Sequence, residues 1–231
     1  MSIQEGDFIR LNFTGYANGI LFDTTDEQKA REAGVYEEQR GYSPKVVCAG
    51  KHQVILGMDE ALIGKEPGFE ETISIPPEKA FGEREQELLR SYEKKSFSQK
   101  PERGMQVTIP DAGKGIVVNV IGNRVIVDFN HPLAGQTLTY TYRIEEVVES
   151  ATEKISGLIK LFSGYDMEVS LEDAMARVVL PPGIYYVSKT WLNMKPYITN
   201  SIFDNVKGIE EVQYIETYKN TKVESEVEPE E

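Results

Sequence analysis

The sequence predicts an α+β protein, and three observations carry that class. Residues 7–16 and 138–144 alternate apolar and polar side chains, the period of a half-buried strand. The stretch from Gly50 to Glu83 couples a short helical stripe to a further alternating strand. After Pro181-Pro182-Gly183, apolar residues return every three or four positions, as on an amphipathic helix.

In chain order, Ile9, Leu11 and Phe13 alternate with Arg10, Asn12 and Thr14, and Gly19 then turns the chain into Leu21-Phe22-Asp23. The charged run from Asp26 to Pro44, with Gly34 and Gly41, predicts a short helix near 25–33 followed by a surface loop. Val46 to Ala49 is an apolar run of strand length. Val54, Ile55, Met58, Ala61 and Leu62 recur at helical spacing, and Gly64 stands where a left-handed stop favours glycine, so a helix of about ten residues is expected. Phe69 to Ile75 alternates, with Ile73 and Ile75 on one face, until Pro76 and Pro77 forbid further ladder pairing. Phe81 follows on a loop.

Composition changes between Glu83 and Asn130, and residues 85–129 are read as an inserted domain. Glu85 to Phe97 is expected to be helical, with Leu88, Leu89 and Tyr92 on one side and Pro101 and Gly104 beyond its end. Met105–Ile109, Gly115–Val120 and Arg124–Phe129 read as strands, the last two joined by the hairpin signal Gly122-Asn123. Gly113-Lys114-Gly115 lacks the leading glycine and the Ser/Thr of a phosphate loop, and is taken as a hairpin turn. Leu138, Tyr140, Tyr142 and Ile144 then form a long strand closing a discontinuous first domain, 1–84 with 130–150.

A third unit, 151–222, begins with Ile155, Leu158, Ile159 and Phe162 at helical spacing, followed by short strands at Val169–Leu171 and Ala176–Leu180. One long helix through Ile184, Val187, Trp191, Met194, Ile198, Ile202 and Val206 is expected to kink at Pro196, and Val212–Tyr218 reads as a last strand. The unit is α+β. Its helix also carries Tyr185, Tyr197 and Phe203, more large apolar groups than so small a unit readily covers, which raises association through this unit, as a homodimer or with a partner protein, as an expectation beside a helix that wraps its own sheet. Residues 223–231 read as an acidic, disordered tail.

Thirty-eight acidic against 25 basic residues give a net charge of -13, which repels phosphate backbones and anionic lipid, so neither nucleic acid nor membrane is an expected partner. No apolar run is long enough to span a bilayer and no signal peptide is recognised, so a cytoplasmic location is expected. Cys48 alone excludes an internal disulfide. Cys48 and His52 lie four apart, but across a strand-to-helix junction and with no third orienting group, so a thiol nucleophile is not expected. With only His52 and His131, no metal site and no cofactor are expected.

Lys51 to Leu62 followed by IPPEKAFGE resembles the FKBP family of peptidyl-prolyl cis-trans isomerases. Phe13-Thr14-Gly15-Tyr16 and Leu21-Phe22-Asp23-Thr24-Thr25 look like that family's first strand and pocket pair. Val127-Asp128-Phe129-Asn130-His131-Pro132-Leu133-Ala134-Gly135-Gln136-Thr137-Leu138 looks like its SlyD branch, which carries an inserted domain. The resemblance spans residues 3–149; beyond it the chain is similar only to the tail of the long archaeal members. It implies an antiparallel half-barrel around a short helix and a pocket made by Phe13, Phe22, Asp23, Val54, Ile55, Met58, Phe81, Leu133 and Tyr140. It also implies that the Ile55 backbone N–H grips the substrate carbonyl, and that the insert holds unfolded or partly folded proline-containing polypeptides. Members often carry tyrosine at the positions of Phe13 and Phe81 and tryptophan at Met58, so hydroxyl donors and an indole floor are lost here. Read from spacing alone, these aromatics could simply be the core of a half-barrel, but Asp23 directly after Phe22 has no obvious core use. The alternative to an isomerase is a non-catalytic holdase or binding module that uses the pocket for recognition only.

Overall fold

The computed structural model describes residues 1–38 and 40–218. The expected acidic tail, 223–231, lies outside the described residues. The first unit is a five-stranded antiparallel sheet built from β1 (Phe8–Ala17), β2 (Ile20–Thr24), β3 (Lys45–Cys48), β4 (Glu70–Ile75) and β9 (Leu138–Val147). β1 is longer than β2 and β3, so β3 pairs with its first half and β2 with its second, while β9 runs along its whole other edge and then pairs with β4. One face of this sheet wraps α2 (Leu56–Leu62), whose Met58 and Leu62 are buried against Ile75, Leu138, Tyr142 and Ile144. Gly57 permits the approach, since a Cβ there would lie 2.5 Å from the Ile75 side chain. The helix is shorter than the spacing suggests: Val54 and Ile55 precede it, and Ile63 is already extended before Gly64 turns at positive φ. A brief helix, α1 (Glu27–Glu32), follows β2 and is capped by the Asp26 carboxylate, which accepts from the Lys29 N–H at 3.1 Å.

The stretch 85–129 holds no α-helix among its described residues, which corrects the helix expected at Glu85–Phe97. A single turn at Gln86–Leu88 leads into β5 (Leu89–Glu93), and a second turn covers Lys94–Ser96. β5 fills the open edge of β8 (Arg124–Asp128), and the sheet continues through β7 (Gly113–Ile121) to β6 (Gln106–Ile109), antiparallel throughout. A helix here would leave the β8 edge unpaired. As a strand, the segment supplies that ladder and sets Tyr92 edge-on to Phe97 and Phe129, with centroids 6.4 and 6.1 Å away. The turn expected at Gly113–Gly115 falls earlier: Asp111 and Gly113 take positive φ, and Gly115 is inside β7, where a Cβ would collide with Val127.

The two connections to this sheet are clasped. Arg84 pairs with the buried Asp128, and Asn130 bonds the Glu85 backbone both ways, accepting from its N–H at 2.8 Å and donating to its carbonyl at 3.0 Å. Asn130 Nδ2 also donates to Asp128 Oδ1 at 2.7 Å.

The last unit packs α3 (Ala151–Ser163), α4 (Ile184–Val187) and α5 (Lys189–Asn205) with a three-stranded sheet ordered β10 (Val169–Glu172), β11 (Met175–Leu180), β12 (Glu211–Glu216). β11 and β12 are parallel, with α4 and α5 as their crossover. The single helix expected from Ile184 to Val206 is two helices broken at Ser188, and Pro196 lies inside the second. Ser188 leaves helical geometry and its Oγ accepts the Trp191 N–H at 3.1 Å, an N-cap that starts α5, and α5 runs on through Pro196. Trp191 is fully buried, edge-on to Tyr214.

This unit rests on the outer side of β3. Phe8, Val46, Cys48 and Val148 share one core with Ile155, Leu158, Ile159, Trp191 and Ile202. Contact is close because residue 157 is glycine: a Cβ there would sit 2.5 Å from Val46 Cβ. Arg10 reinforces the seam, bonding Glu146 at 2.7 Å and lying 3.5 Å from Glu153 on α3. Among the described residues no helix is long and apolar enough to cross a membrane.

Candidate active site

Inside the curl of the first sheet lies a cavity of about 420 Å³. β1 brings Phe13, β2 brings Asp23, the loop before α2 brings Val54 and Ile55, and α2 brings Met58. Phe81 comes from the loop after β4 and Tyr140 from β9. Seven of the nine residues expected at the site are thus brought together. Phe22 stands behind the lining, edge-on to Tyr140 with centroids 5.7 Å apart, and Leu133 packs on the surrounding core without lining the cavity.

Tyr140 is the hub. It is buried, edge-on to Phe13 at 5.9 Å, and seated over Gly15, where a Cβ would lie 2.6 Å from its ring. That contact explains the glycine in Phe13-Thr14-Gly15-Tyr16. The Tyr140 hydroxyl donates to Asp23 Oδ2 at 3.4 Å, and Asp23 Oδ1 accepts from the Arg40 guanidinium. Burial, and then the adjacent Asp23 charge, hold the phenol well above its ordinary pKa, so it stays a proton donor. Phe13 brings no hydroxyl to the cavity, whereas Tyr140 brings one from β9. Met58, 1% exposed, forms part of the wall where an indole would be flat.

Asp59 organises the loop that carries Val54 and Ile55. It is 2% exposed, and its two oxygens accept the N–H groups of Gly50 at 2.9 Å and His52 at 2.8 Å, residues that both adopt positive φ. Gln53 secures the same loop by accepting from the Cys48 N–H at 2.8 Å. Ile55 then accepts at its carbonyl the N–H groups of Met58 and Asp59, while its own N–H has no protein acceptor among the described residues.

Phe81 is held by His131, whose ring stacks on it at 4.2 Å and 10°. His131 Nδ1 in turn accepts the Leu133 N–H at 3.2 Å, so the His131-Pro132 pair borders the site. Arg40, Lys45 and Gln53 also line the cavity, as does Leu161 from α3. Burial, and then the neighbouring Lys160 and Arg40 charges, pull the Lys45 ammonium below its usual pKa. Cys48 and His52 make no pair: burial pushes the thiol up to about 11, and the Cys48 sulfur lies 3.9 Å from Asn205 Oδ1.

A largely apolar cleft with fixed donors at its wall suits a reaction whose obstacle is amide resonance rather than bond cleavage. Isomerisation of a peptide bond is such a reaction. Residues 1–96 match the family described as FKBP-type peptidyl-prolyl cis-trans isomerase. Residues 91–133 match the FKBP26 IF domain, and residues 151–219 match the FKBP26 C-terminal domain. The chain is 32% identical over 154 residues to a short-type peptidyl-prolyl cis-trans isomerase of Methanocaldococcus jannaschii, covering 65% of this chain and 98% of that protein. It is 35% identical over 118 residues to the isomerase SlyD of Treponema pallidum, covering 48% of this chain and 65% of that one. It is also 28% identical over 152 residues to the FKBP-type 16 kDa isomerase of Escherichia coli, 63% of this chain and 94% of that protein. The chain belongs to the FKBP-type peptidyl-prolyl cis-trans isomerases, enzymes that rotate the bond preceding proline.

Proposed function

We propose that this isomerase acts on proline-limited protein folding, with the cavity around Tyr140 as its site and the 85–129 sheet as a client-holding module. The observation that carries the site is the Ile55 N–H, left without a protein acceptor beside an apolar cavity that Met58, Phe13 and Phe81 line. A proline ring enters the cavity and the Ile55 N–H takes the carbonyl of a substrate amide. Out of water, the charge-separated resonance form of the Xaa-Pro bond is disfavoured, which lowers its barrier of about 18–20 kcal/mol. A twisted amide then binds better than either planar form, and that difference is the catalysis. Asp23 acts by orienting Tyr140 and Arg40 around the turning carbonyl.

The test is a protease-free tetrapeptide assay. Asp23→Ala removes a charge-assisted contact of about 1.5–3 kcal/mol and lowers kcat/KM by roughly 10-fold or more with the fold intact, and Phe22→Ala lowers it through a loosened Tyr140. Rates unchanged in both variants would move the site elsewhere. A pocket used for recognition only would give no turnover in the unmodified chain.

Client holding is supported by a thin core: Val117, Val125 and Val127 are the only buried hydrophobic side chains of that sheet, and Ile121 is 60% exposed. The clients are unfolded or partly folded polypeptides containing proline. The division into 1–84 with 130–150, 85–129 and 151–222 is part of this reading, as is a cytosolic setting, which suits the free Cys48 thiol.

The last unit offers a surface for a second copy. Val179 and Ile215 are direct partners across β11 and β12 and both are exposed, and Tyr186 and Val187 on α4 are 89% and 75% exposed. Static light scattering on the full chain across a hundredfold concentration range is expected to give a mass that rises to the dimer. A constant monomer mass sinks the homodimer.

A further inference from the structure

Helix α3 has two apolar faces, and they serve different cores. Ile155, Leu158, Ile159 and Phe162 belong to the core of the last unit. Leu161 instead packs on the core of the first sheet and lines the same cavity as Ile55, Met58 and Tyr140. It gets there through Gly157, one turn earlier on the same face. Because that residue has no side chain, α3 lies close enough to Val46 for Leu161 to reach past β3 into the cavity. The helix end is held in place as well, by Lys160 bonding Asp166 at 2.9 Å.

We infer that Leu161 is a specificity-determining residue of the isomerase: it receives the side chain flanking the proline, and it selects for large aliphatic groups there. The rest of the nearby rim is charged. Arg40 is paired with Asp23, and Lys45, whose ammonium donates to the Gly41 carbonyl at 3.1 Å, lies on the same side of the cavity as α3. An aliphatic flanking side chain that enters here buries its surface on Leu161. A basic one meets Lys45 with Lys160 behind it, and loses. The last unit, through α3, therefore contributes one wall to the substrate site.

This inference rests on the cavity being the catalytic site, and the experiment separates the two. Full-length Leu161→Ala and Leu161→Gln are compared with the unmodified chain on tetrapeptides carrying Leu-Pro or Ala-Pro, with Asp23→Ala run in parallel. The ratio of kcat/KM for Leu-Pro over Ala-Pro is expected to fall about five- to tenfold in both Leu161 variants, mostly through KM. Leu161→Met restores most of it. Gly157→Ala, which forces α3 away from Val46, lowers the same ratio with Leu161 still present. Methionine conserves the apolar bulk of the half-buried leucine, so Leu161→Met keeps the comparison interpretable where alanine disturbs folding. An unchanged ratio in the Leu161 variants, or an equal change on both peptides, overturns the assignment. If Asp23→Ala also has no effect, the site assignment itself has failed; if Asp23→Ala lowers both rates, only the role of Leu161 has.

Discussion

Replacing residues 86–127 with a short turn is expected to lower catalysis of a proline-limited refolding reaction on the order of 10²-fold, while tetrapeptide isomerisation stays within about twofold. The cut removes β5, β6 and β7 and most of β8 but keeps Arg84, Glu85, Asp128 and Asn130, which clasp the two connections. Every residue lining the cavity lies outside the deleted stretch, and Phe81 keeps its His131 stack. A tetrapeptide meets the cavity directly and loses nothing. Under the proposed client-holding role, a folding chain would be captured weakly and then presented repeatedly to the cavity, so losing this sheet would lower the effective concentration of its prolines. Refolding of a protein with a native cis-proline, monitored by fluorescence, gives one rate, and the tetrapeptide assay gives the other. A parallel fall in both rates would make this sheet part of the catalytic site.

What the sequence made legible follows from how many faces each element buries. β9 buries Leu138, Tyr140, Tyr142 and Ile144 on one side only, and its alternation was plain. β3 is buried on both sides, with Val46 and Cys48 in the core of the last unit and Val47 and Ala49 following on in the core of the first, so it showed only as an apolar run. The segment 85–97 misled because Leu88, Leu89 and Tyr92 fit a helical face while an open sheet edge, invisible in one dimension, decided the outcome. The apolar stripe from Ile184 to Val206 looked like one continuous helix, yet a serine four residues after Ile184 breaks it, because its hydroxyl caps the helix that follows.

In the site, the aromatic wall was legible because short motifs carry it. The groups that hold the wall were not. Arg40 reaches Asp23 from a loop, His131 reaches Phe81 from beyond the insert, and Leu161 arrives from another unit; each depends on distant chain segments meeting. Asp59 did leave a signal. An aspartate beside Met58 in an apolar helical stripe is a buried acid, and a buried acid needs donors.

Asp59→Ala is therefore expected to destabilise the protein by about 2–4 kcal/mol, since it strands the Gly50 and His52 N–H groups in a partly buried turn. The carboxylate, 2% exposed, is not replaceable by water without opening the loop. Asp59→Asn keeps one acceptor oxygen but turns an amide N–H toward the second donor, so it should cost roughly half as much. Activity should fall further than stability accounts for. The loop ends at Ile55, and a displacement of its N–H by about 1 Å can cost on the order of 10²-fold in rate. Denaturant midpoints at constant m-value measure the first effect, and kcat/KM under conditions where each variant is fully folded measures the second. If Asp59→Ala unfolds at the same midpoint as the unmodified chain, the carboxylate does not hold the loop. If it is destabilised yet isomerises peptides at the full rate, the loop is held by Asp59 but the Ile55 N–H is not the group that takes the substrate carbonyl.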